Sequence, residues 1–148
     1  MARRILLIDD DELTLAILQF TLRKLNFTGS LDTVSTGEQA LAYFENLLRQ
    51  TPDAAPDLIL LDLFMPRMNG WEFLDIYTSR FEARYPDTRV CIITSSVDPA
   101  DVDKATRYPC VSSFVEKPFG FQSESFLRNM DRLGAGSTTI NPSSASGT

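Results

Sequence analysis

Short apolar runs that end abruptly in polar residues are the most regular feature of the sequence. The clearest run covers residues 58–61 (LILL) and ends on Asp62. A run without polar alternation is typical of a strand covered on both faces, as in the interior of a parallel sheet. The other strand candidates are residues 5–8, 31–34, 90–93 and 111–115. The pattern therefore predicts five strands.

Apolar residues at helical spacing alternate with these strands. Leu15, Leu18 and Leu22 fall on one face of a helix predicted over residues 13–25, and Asp11 is suited to cap its N-terminus. Signals of the same kind predict four more helices. They are the capping-box spacing of Ser35 and Glu38, the apolar residues that follow Asn69, Asp98 with Pro99 at the start of a helix to about residue 108, and the apolar spacing of Phe126, Met130 and Leu133.

The alternation of strands and helices predicts the fold class. A strand that returns parallel to its neighbour needs a crossover, which here is a helix, so the chain is expected to form a three-layer α/β/α sandwich on a five-stranded parallel sheet. We expect this domain to cover residues 1–133. Residues 134–148 (GAGSTTINPSSASGT) are poor in apolar residues and rich in Gly, Ser and Thr, which predicts a disordered tail.

Composition narrows the function classes. With 148 residues and 43% hydrophobic content the chain has the size and character of one soluble domain. A net charge of -6 argues against nucleic-acid or anionic-membrane binding through bulk electrostatics. The absence of histidine from the sequence removes imidazole catalysis and imidazole metal ligation. The first apolar run is too short for a signal peptide and no run reaches the roughly 20 residues of a membrane helix, so we expect a cytoplasmic protein.

The polar residues that end the predicted strands are the candidate chemistry. They are Asp9 and Asp10, Asp62, Thr94 and Lys117. Because open parallel sheets bind ligands at the carboxyl ends of their strands, these side chains are expected to share one crevice. Three carboxylates in one crevice repel one another unless a cation neutralises them. Mg²⁺ suits such oxygen ligands, and Mn²⁺ is an equally acceptable choice on this argument.

A carboxylate beside a divalent cation is also suited to accept a phosphoryl group. The cation would neutralise charge in the transfer, Lys117 would attract the phosphate, and Thr94 would donate a hydroxyl hydrogen bond. Each residue also has a structural explanation, since Asp62 can cap a turn, Lys117 can be solvated and Thr94 can begin a helix. Their joint position at strand ends favours the chemical interpretation.

Four segments in this order, LLIDDDE, LILLDLFMPRMNG, IITSS and FVEKPF, resemble the receiver domain of bacterial two-component response regulators. The resemblance covers about residues 3–133. It implies a flavodoxin-like sheet of strand order 2-1-3-4-5. It also implies that Asp62 is the phosphoacceptor and that Asp9, Asp10, Asp62 and the backbone carbonyl of Phe64 hold Mg²⁺.

The resemblance also implies a conformational switch. Thr94 and Lys117 would contact the phosphate, and Phe114 would be the aromatic residue that moves with Thr94. The peptide bond between Lys117 and Pro118 would be cis, as is usual in the family. The side chain of Phe64 and, near it, Ser96 would lie over the path of the hydrolytic water, from which we expect slow loss of the phosphoryl group.

The implied partners are proteins. Since the chain has no histidine, its phosphoryl group must come from a sensor histidine kinase or a histidine phosphotransfer protein. A downstream protein target would bind the face of the fourth helix, fifth strand and fifth helix, and we expect no output domain, no direct nucleic-acid binding and no membrane association. The loop at residues 50–56 is longer than in minimal members of the family, and the final helix is short. These departures concern the partner surface.

Three other functions compete with this one. A phosphatase of the haloacid-dehalogenase type would need a second aspartate two residues after the nucleophile, where this chain has Phe64. A flavin-binding module would need N–H groups and hydroxyls after the first strand, where this chain has three aspartates. A degenerate receiver would bind partners without phosphorylation. Turnover of a small phosphoester would favour the phosphatase.

Overall fold

The computed structural model describes residues 3–95, 97–117 and 126. Strands and helices alternate along this part of the chain, with one 3-10 turn at Glu82–Arg84. They are β1 (Arg4–Ile8), α1 (Glu12–Lys24), β2 (Ser30–Val34), α2 (Gly37–Gln50), β3 (Leu58–Asp62), α3 (Gly70–Arg80), β4 (Arg89–Thr94), α4 (Pro99–Ala105) and β5 (Val111–Glu116). The five predicted strands and the first four helices are confirmed. The predicted fifth helix and the tail lie outside the described residues, except for Phe126, which is buried.

The sheet is parallel throughout and has the order β2-β1-β3-β4-β5, which confirms the predicted fold class. Ile8 is paired with Leu61, and Asp62 is paired with Ile93. Thr94 is in turn paired with Glu116. The carboxyl ends of β1, β3, β4 and β5 therefore lie side by side at one edge of the sheet.

Each face of the sheet packs on a separate apolar cluster. Leu58 and Leu60 of β3 face the cluster that α1 forms with Phe126, whereas Ile59 and Leu61 face the cluster of α2 and α3. Every residue of β3 is buried, as its unbroken apolar run predicts. The result is the predicted α/β/α arrangement, in which the apolar clusters fix the sheet and leave its carboxyl edge open for polar residues.

Among the helix caps, the predicted one at α1 is confirmed, an unpredicted capping box begins α3, and the predicted one at α2 needs a correction. The Asp11 side chain accepts hydrogen bonds at the start of α1, and Asn69 and Glu72 form a capping box at α3 with two bonds of 2.9 Å. The cap of α2 is Thr36, one residue later than the predicted Ser35, and its hydroxyl accepts the N–H of Gln39 at 3.0 Å. Ser35 and Thr36 each have a suitable partner three residues on. Thr36 directly precedes the helix and has the extended backbone of a cap.

The predicted end of α4 was also too late. The helix ends at Ala105 instead of near Tyr108, because the following N–H groups bond three residues back, as in Tyr108 to Ala105 at 3.1 Å. Among the described residues, no helix combines the length and apolar character that crossing a bilayer requires.

Candidate functional site

Asp62 is the last residue of β3 and lies at the centre of the carboxyl edge. Its side chain is almost fully buried. Oδ1 accepts the backbone N–H of Phe64 at 3.4 Å and lies 3.3 Å from Nζ of Lys117. This carboxylate oxygen is thus held from two sides, by the loop that follows β3 and by the residue that follows β5.

Asp9 and Asp10 follow β1, the neighbour of β3. Asp9 is fully buried, and its carboxylate accepts the N–H of Asp11 at 2.8 Å and the ammonium of Lys117 at 2.7 Å. Asp10 is exposed. One carboxylate oxygen each from Asp9, Asp10 and Asp62 lies within 4.8 Å of the other two. The structure thus brings together the three carboxylates that the sequence analysis placed in one crevice.

Lys117 joins the acidic cluster to the ends of β4 and β5. Its Nζ contacts both Asp9 and Asp62, and its side chain is 13% exposed. Its backbone N–H donates to the carbonyl oxygen of Thr94 at 2.7 Å, which fixes the end of β5 against the end of β4. The neighbouring Pro118 lies outside the described residues, so the expected cis peptide stays a prediction.

The electrostatics of the cluster follow from burial. Burial, and then the nearby charge of Asp9, raise the pKa of Asp62 to about 7 against the opposing effect of Lys117. Burial also raises the pKa of Asp9, although its hydrogen bond to Lys117 acts in the other direction. For Lys117, burial lowers the pKa, but the hydrogen bond to Asp9 and the attraction of Asp62 outweigh it and raise the pKa overall. Two buried carboxylates and one cation leave the cluster short of positive charge.

This donor set fits a hard divalent cation. Mg²⁺ is commonly bound by one or two carboxylates with water completing its shell, and exposed Asp10 opens the cluster to solvent. Phe64 follows Asp62 by two residues and its N–H contacts the same carboxylate. The role of its carbonyl as a further ligand stays a prediction.

Thr94 and Phe114 lie on the opposite face of the sheet from the apolar cluster of α1. Ile92 is paired with Phe114, and both contribute to the cluster of α2 and α3. Thr94 lies two residues after Ile92 on β4 and therefore has the same facing. Thr94 is fully buried, and Phe114 is half-buried. The two predicted switch residues therefore lie on one face of adjacent strands, with Phe114 two residues before the partner of Thr94.

The loop between β3 and α3 is bent sharply and tightly packed. Gly70 donates its N–H to the carbonyl of Leu63 at 2.8 Å, and a Cβ at Gly70 would lie only 2.7 Å from the carbonyl oxygen of Asp62. Only glycine lets α3 begin this close to the end of β3. Within the loop, Met68 donates to the carbonyl of Pro66 at 2.8 Å around Arg67, whose φ is 66°. This is a γ-turn of the rare, strained sign.

Sequence reasoning missed the exposed apolar residues of α1. Leu13, two residues after Asp11, is 67% exposed, and Phe64, which the sequence analysis already named, is 54% exposed. Along α1, Leu13, Ala16 and Phe20 lie at offsets 0, 3 and 7 on the solvent side, opposite the buried leucines. This second apolar stripe was visible in the sequence, but the buried stripe at similar spacing obscured it.

Comparison with known families gives a clear match. A family model described as the response regulator receiver domain matches residues 5–125. A probable C4-dicarboxylate response regulator of Halalkalibacterium halodurans is 30% identical over 119 residues, covering 80% of this chain and 46% of that protein. A probable methanogenesis regulatory protein of Methanothrix harundinacea is 30% identical over 118 residues, covering 80% of this chain and 74% of that protein. The chain thus spans about half the length of the first of these relatives.

Solved structures show the same likeness. A two-component response regulator from Cytophaga hutchinsonii has a TM-score of 0.76 and 28% identity, covering 88% of this chain and 95% of that one. A bacteriophytochrome response regulator has a TM-score of 0.72 and 32% identity, covering 90% of this chain and 79% of that one.

Proposed function

The chain belongs to the response regulator receiver domain family of two-component systems, and on that premise we propose that it accepts a phosphoryl group on Asp62 in a Mg²⁺-dependent reaction. The observation that supports this most directly is the buried cluster at the carboxyl edge. Asp62 lies there within 4.8 Å of the Asp9 and Asp10 carboxylates and within 3.3 Å of the Lys117 ammonium.

The acceptor chemistry follows from the charges. A carboxylate oxygen of Asp62 attacks the phosphorus atom, and the bond from phosphorus to the donor's imidazole nitrogen breaks as the new oxygen–phosphorus bond forms. Mg²⁺, held by Asp9, Asp10, Asp62 and the Phe64 carbonyl, would neutralise charge on the acceptor and the phosphoryl oxygens. Lys117 is placed to attract the incoming phosphate because its Nζ already lies against Asp62 Oδ1.

The phosphoryl group has to come from outside residues 1–148, because they contain no histidine. Sensor histidine kinases and histidine phosphotransfer proteins are the donors that fit a two-component receiver. We propose that the donor docks on exposed apolar residues, Leu13 and Phe20 of α1 together with Phe64, which follows Asp62 by two residues. Exposed apolar side chains of this kind exclude water when a partner protein covers them.

A switch at the end of β4 would carry the signal to a downstream target. When the phosphate attracts the Thr94 hydroxyl towards Asp62, the space beside Thr94 becomes available to Phe114, which shares its face of the sheet. This change would alter the surface of α4 and β5, where Val102 of α4 and Val97, two residues before α4, are exposed. It is a population shift between two packings, so target binding should in turn favour phosphorylation.

The competing enzyme function has less support. A phosphatase that uses Asp62 as its nucleophile would need a proton donor at position 64, and the Phe64 side chain has none. A receiver that works without phosphorylation would have no use for a buried cluster whose two carboxylates both contact Lys117.

The metal-free protein is expected to lose stability as pH rises through the neutral range. With its pKa raised to about 7 from 3.8, folded Asp62 keeps a proton between about pH 4 and 7 that the unfolded chain has already released. The free energy of unfolding therefore falls with rising pH, and between pH 5.5 and pH 8 the fall is on the order of 2 kcal/mol or roughly 5 °C in melting temperature. Asp9 acts in the same direction, while the raised pKa of Lys117 matters only at alkaline pH.

Thermal unfolding in a metal chelator at pH 5.5 and pH 8 checks this. Asp62→Asn removes the titrating carboxyl and should flatten the dependence, and saturating Mg²⁺ should restore stability at pH 8 in the wild type. A wild-type protein that is more stable at pH 8 than at pH 5.5 without metal would contradict the expected sign.

Donor docking has a separate test. Leu13→Ser is expected to slow phosphoryl transfer from the cognate sensor kinase by about tenfold, because it removes an apolar contact without touching the acidic cluster. Labelling by a small phosphodonor should stay within about twofold of the wild type. Val102→Ser on α4 is the matched control, since it also removes an exposed apolar side chain. Equal transfer rates for Leu13→Ser and wild type would place the donor elsewhere.

A further inference from the structure

The loop between β3 and α3 (residues 63–69), called the acceptor loop below, is in direct contact with the first turn of α2. A Cβ built on Gly37 would lie 2.7 Å from Sδ of Met68, 2.8 Å from its Cγ and 3.0 Å from its Cβ. Three atoms of one side chain at these distances mean that Met68 occupies the space a side chain at residue 37 would take. Gly37 is itself buried as the first residue of α2. Met68, in the loop that follows Asp62, therefore packs into the space that a side chain at residue 37 would fill.

The contact between Met68 and Gly37 lies next to the strained part of the loop. Arg67, with its φ of 66°, directly precedes Met68, and the γ-turn bond joins Met68 to Pro66. A strained turn persists only where its surroundings determine it. The neighbouring ion pair from Arg67 Nε to Glu38 Oε2, at 3.3 Å, joins two well-exposed side chains and is a weak restraint. Packing of Met68 on Gly37 is the stronger restraint of the two.

The loop reaches the acceptor at its other end. The N–H of Phe64 donates to Oδ1 of Asp62 at 3.4 Å, so the loop backbone and the acceptor carboxylate are bonded to each other. The start of α3 is fixed independently, through the bond of Gly70 to Leu63 and the capping box of Asn69. Because the loop is fixed at these points, a shift of Met68 relative to α2 would also move the γ-turn at Arg67 and the backbone of Phe64.

We propose that Met68 is a positioning residue. Its packing against Gly37 sets the orientation of the acceptor loop, and thereby the cation affinity of the site and the phosphorylation rate of Asp62. The proposal rests on the function proposed above for Asp62. It assigns a role to the first turn of α2, which contains none of the acidic residues of the site.

A double-mutant cycle tests it. Gly37→Ala should displace Met68 and weaken Mg²⁺ binding, measured by titration calorimetry, by about tenfold, with a similar fall in the rate of labelling by acetyl phosphate. Met68→Ala should weaken binding by a smaller factor, about threefold. In the double variant the smaller side chain at position 68 makes room for the added Cβ, so its affinity should recover to that of Met68→Ala alone. Glu38→Gln, which breaks only the exposed ion pair, is the matched control and should change affinity by less than about twofold.

The outcomes separate this proposal from the proposed function. Unchanged Mg²⁺ affinity in Gly37→Ala or Met68→Ala, with a lower melting temperature, would show a purely structural contact and overturn the proposal. A double variant no better than Gly37→Ala would also overturn it, because the effect would not pass through Met68. If Gly37→Ala does not fold, the Mg²⁺ affinity of Met68→Ala alone tests the proposal. A wild-type protein that binds Mg²⁺ but accepts no phosphoryl group would instead refute the proposed function, and the affinity measurements would still decide the role of Met68.

Discussion

Incubated with Mg²⁺ and acetyl phosphate, the protein is expected to gain one acid-labile phosphoryl group, and Asp62→Asn is expected to gain none, a loss of roughly 100-fold or more in initial rate. The reason is chemical. An amide at position 62 has no anionic oxygen to attack phosphorus, yet it keeps the size of the carboxyl and the hydrogen bond from the Phe64 N–H. Intact-protein mass spectrometry before and after acid treatment measures the labelling, and metal removal by a chelator should stop it in the wild type.

The controls for this experiment lie in the same part of the chain. Asp53→Asn changes an exposed carboxyl in the loop before β3 and should label as the wild type does. Asp10→Asn keeps the acceptor and removes one proposed metal ligand, so it should need more Mg²⁺ to reach the same rate. Labelling that persists in Asp62→Asn at the wild-type rate would show that another residue is the acceptor.

The position of the acidic cluster could be predicted from the sequence because it follows from topology alone. Each strand candidate ended in a polar residue, and parallel strands place their carboxyl ends at one edge. Asp9, Asp62 and Lys117 meet there because β1 and β3 are neighbours and β5 is joined to β4 at Thr94. No detail of side-chain packing was needed for this step, so short-range patterns sufficed.

Contacts between loops could not be predicted in the same way. Met68 and Gly37 are 31 positions apart in the sequence. Whether they touch depends on how the acceptor loop packs against α2, and no local sequence pattern determines that packing. The cap of α2 has a related cause. Ser35 and Thr36 both have suitable partners, and the choice of Thr36 leaves Glu38 free to meet Arg67 across the same contact. Such choices are made by tertiary packing rather than by propensity.

The lifetime of the phosphorylated state is expected to be long because of Phe64. Hydrolysis of an aspartyl phosphate needs a water molecule aligned behind phosphorus, opposite the carboxylate oxygen. Phe64 is two residues after the proposed acceptor, its backbone N–H contacts Asp62, and 54% of its surface is exposed. It can neither orient a water molecule by hydrogen bonding nor leave the approach fully open. The second residue expected near this path, Ser96, lies outside the described residues.

Phe64→Asn is therefore expected to speed the loss of the phosphoryl group by about tenfold, which corresponds to about 1.4 kcal/mol in the barrier. The protein is phosphorylated, the donor is removed, and the decay is followed by mass spectrometry. Phe20→Asn is the matched control, since Phe20 is 66% exposed on α1 and the substitution is chemically the same. Its decay should equal that of the wild type. Equal decay in Phe64→Asn and wild type, or slower decay in the variant, would mean that the aromatic ring does not shield the acyl phosphate, and that its exposure serves donor docking alone.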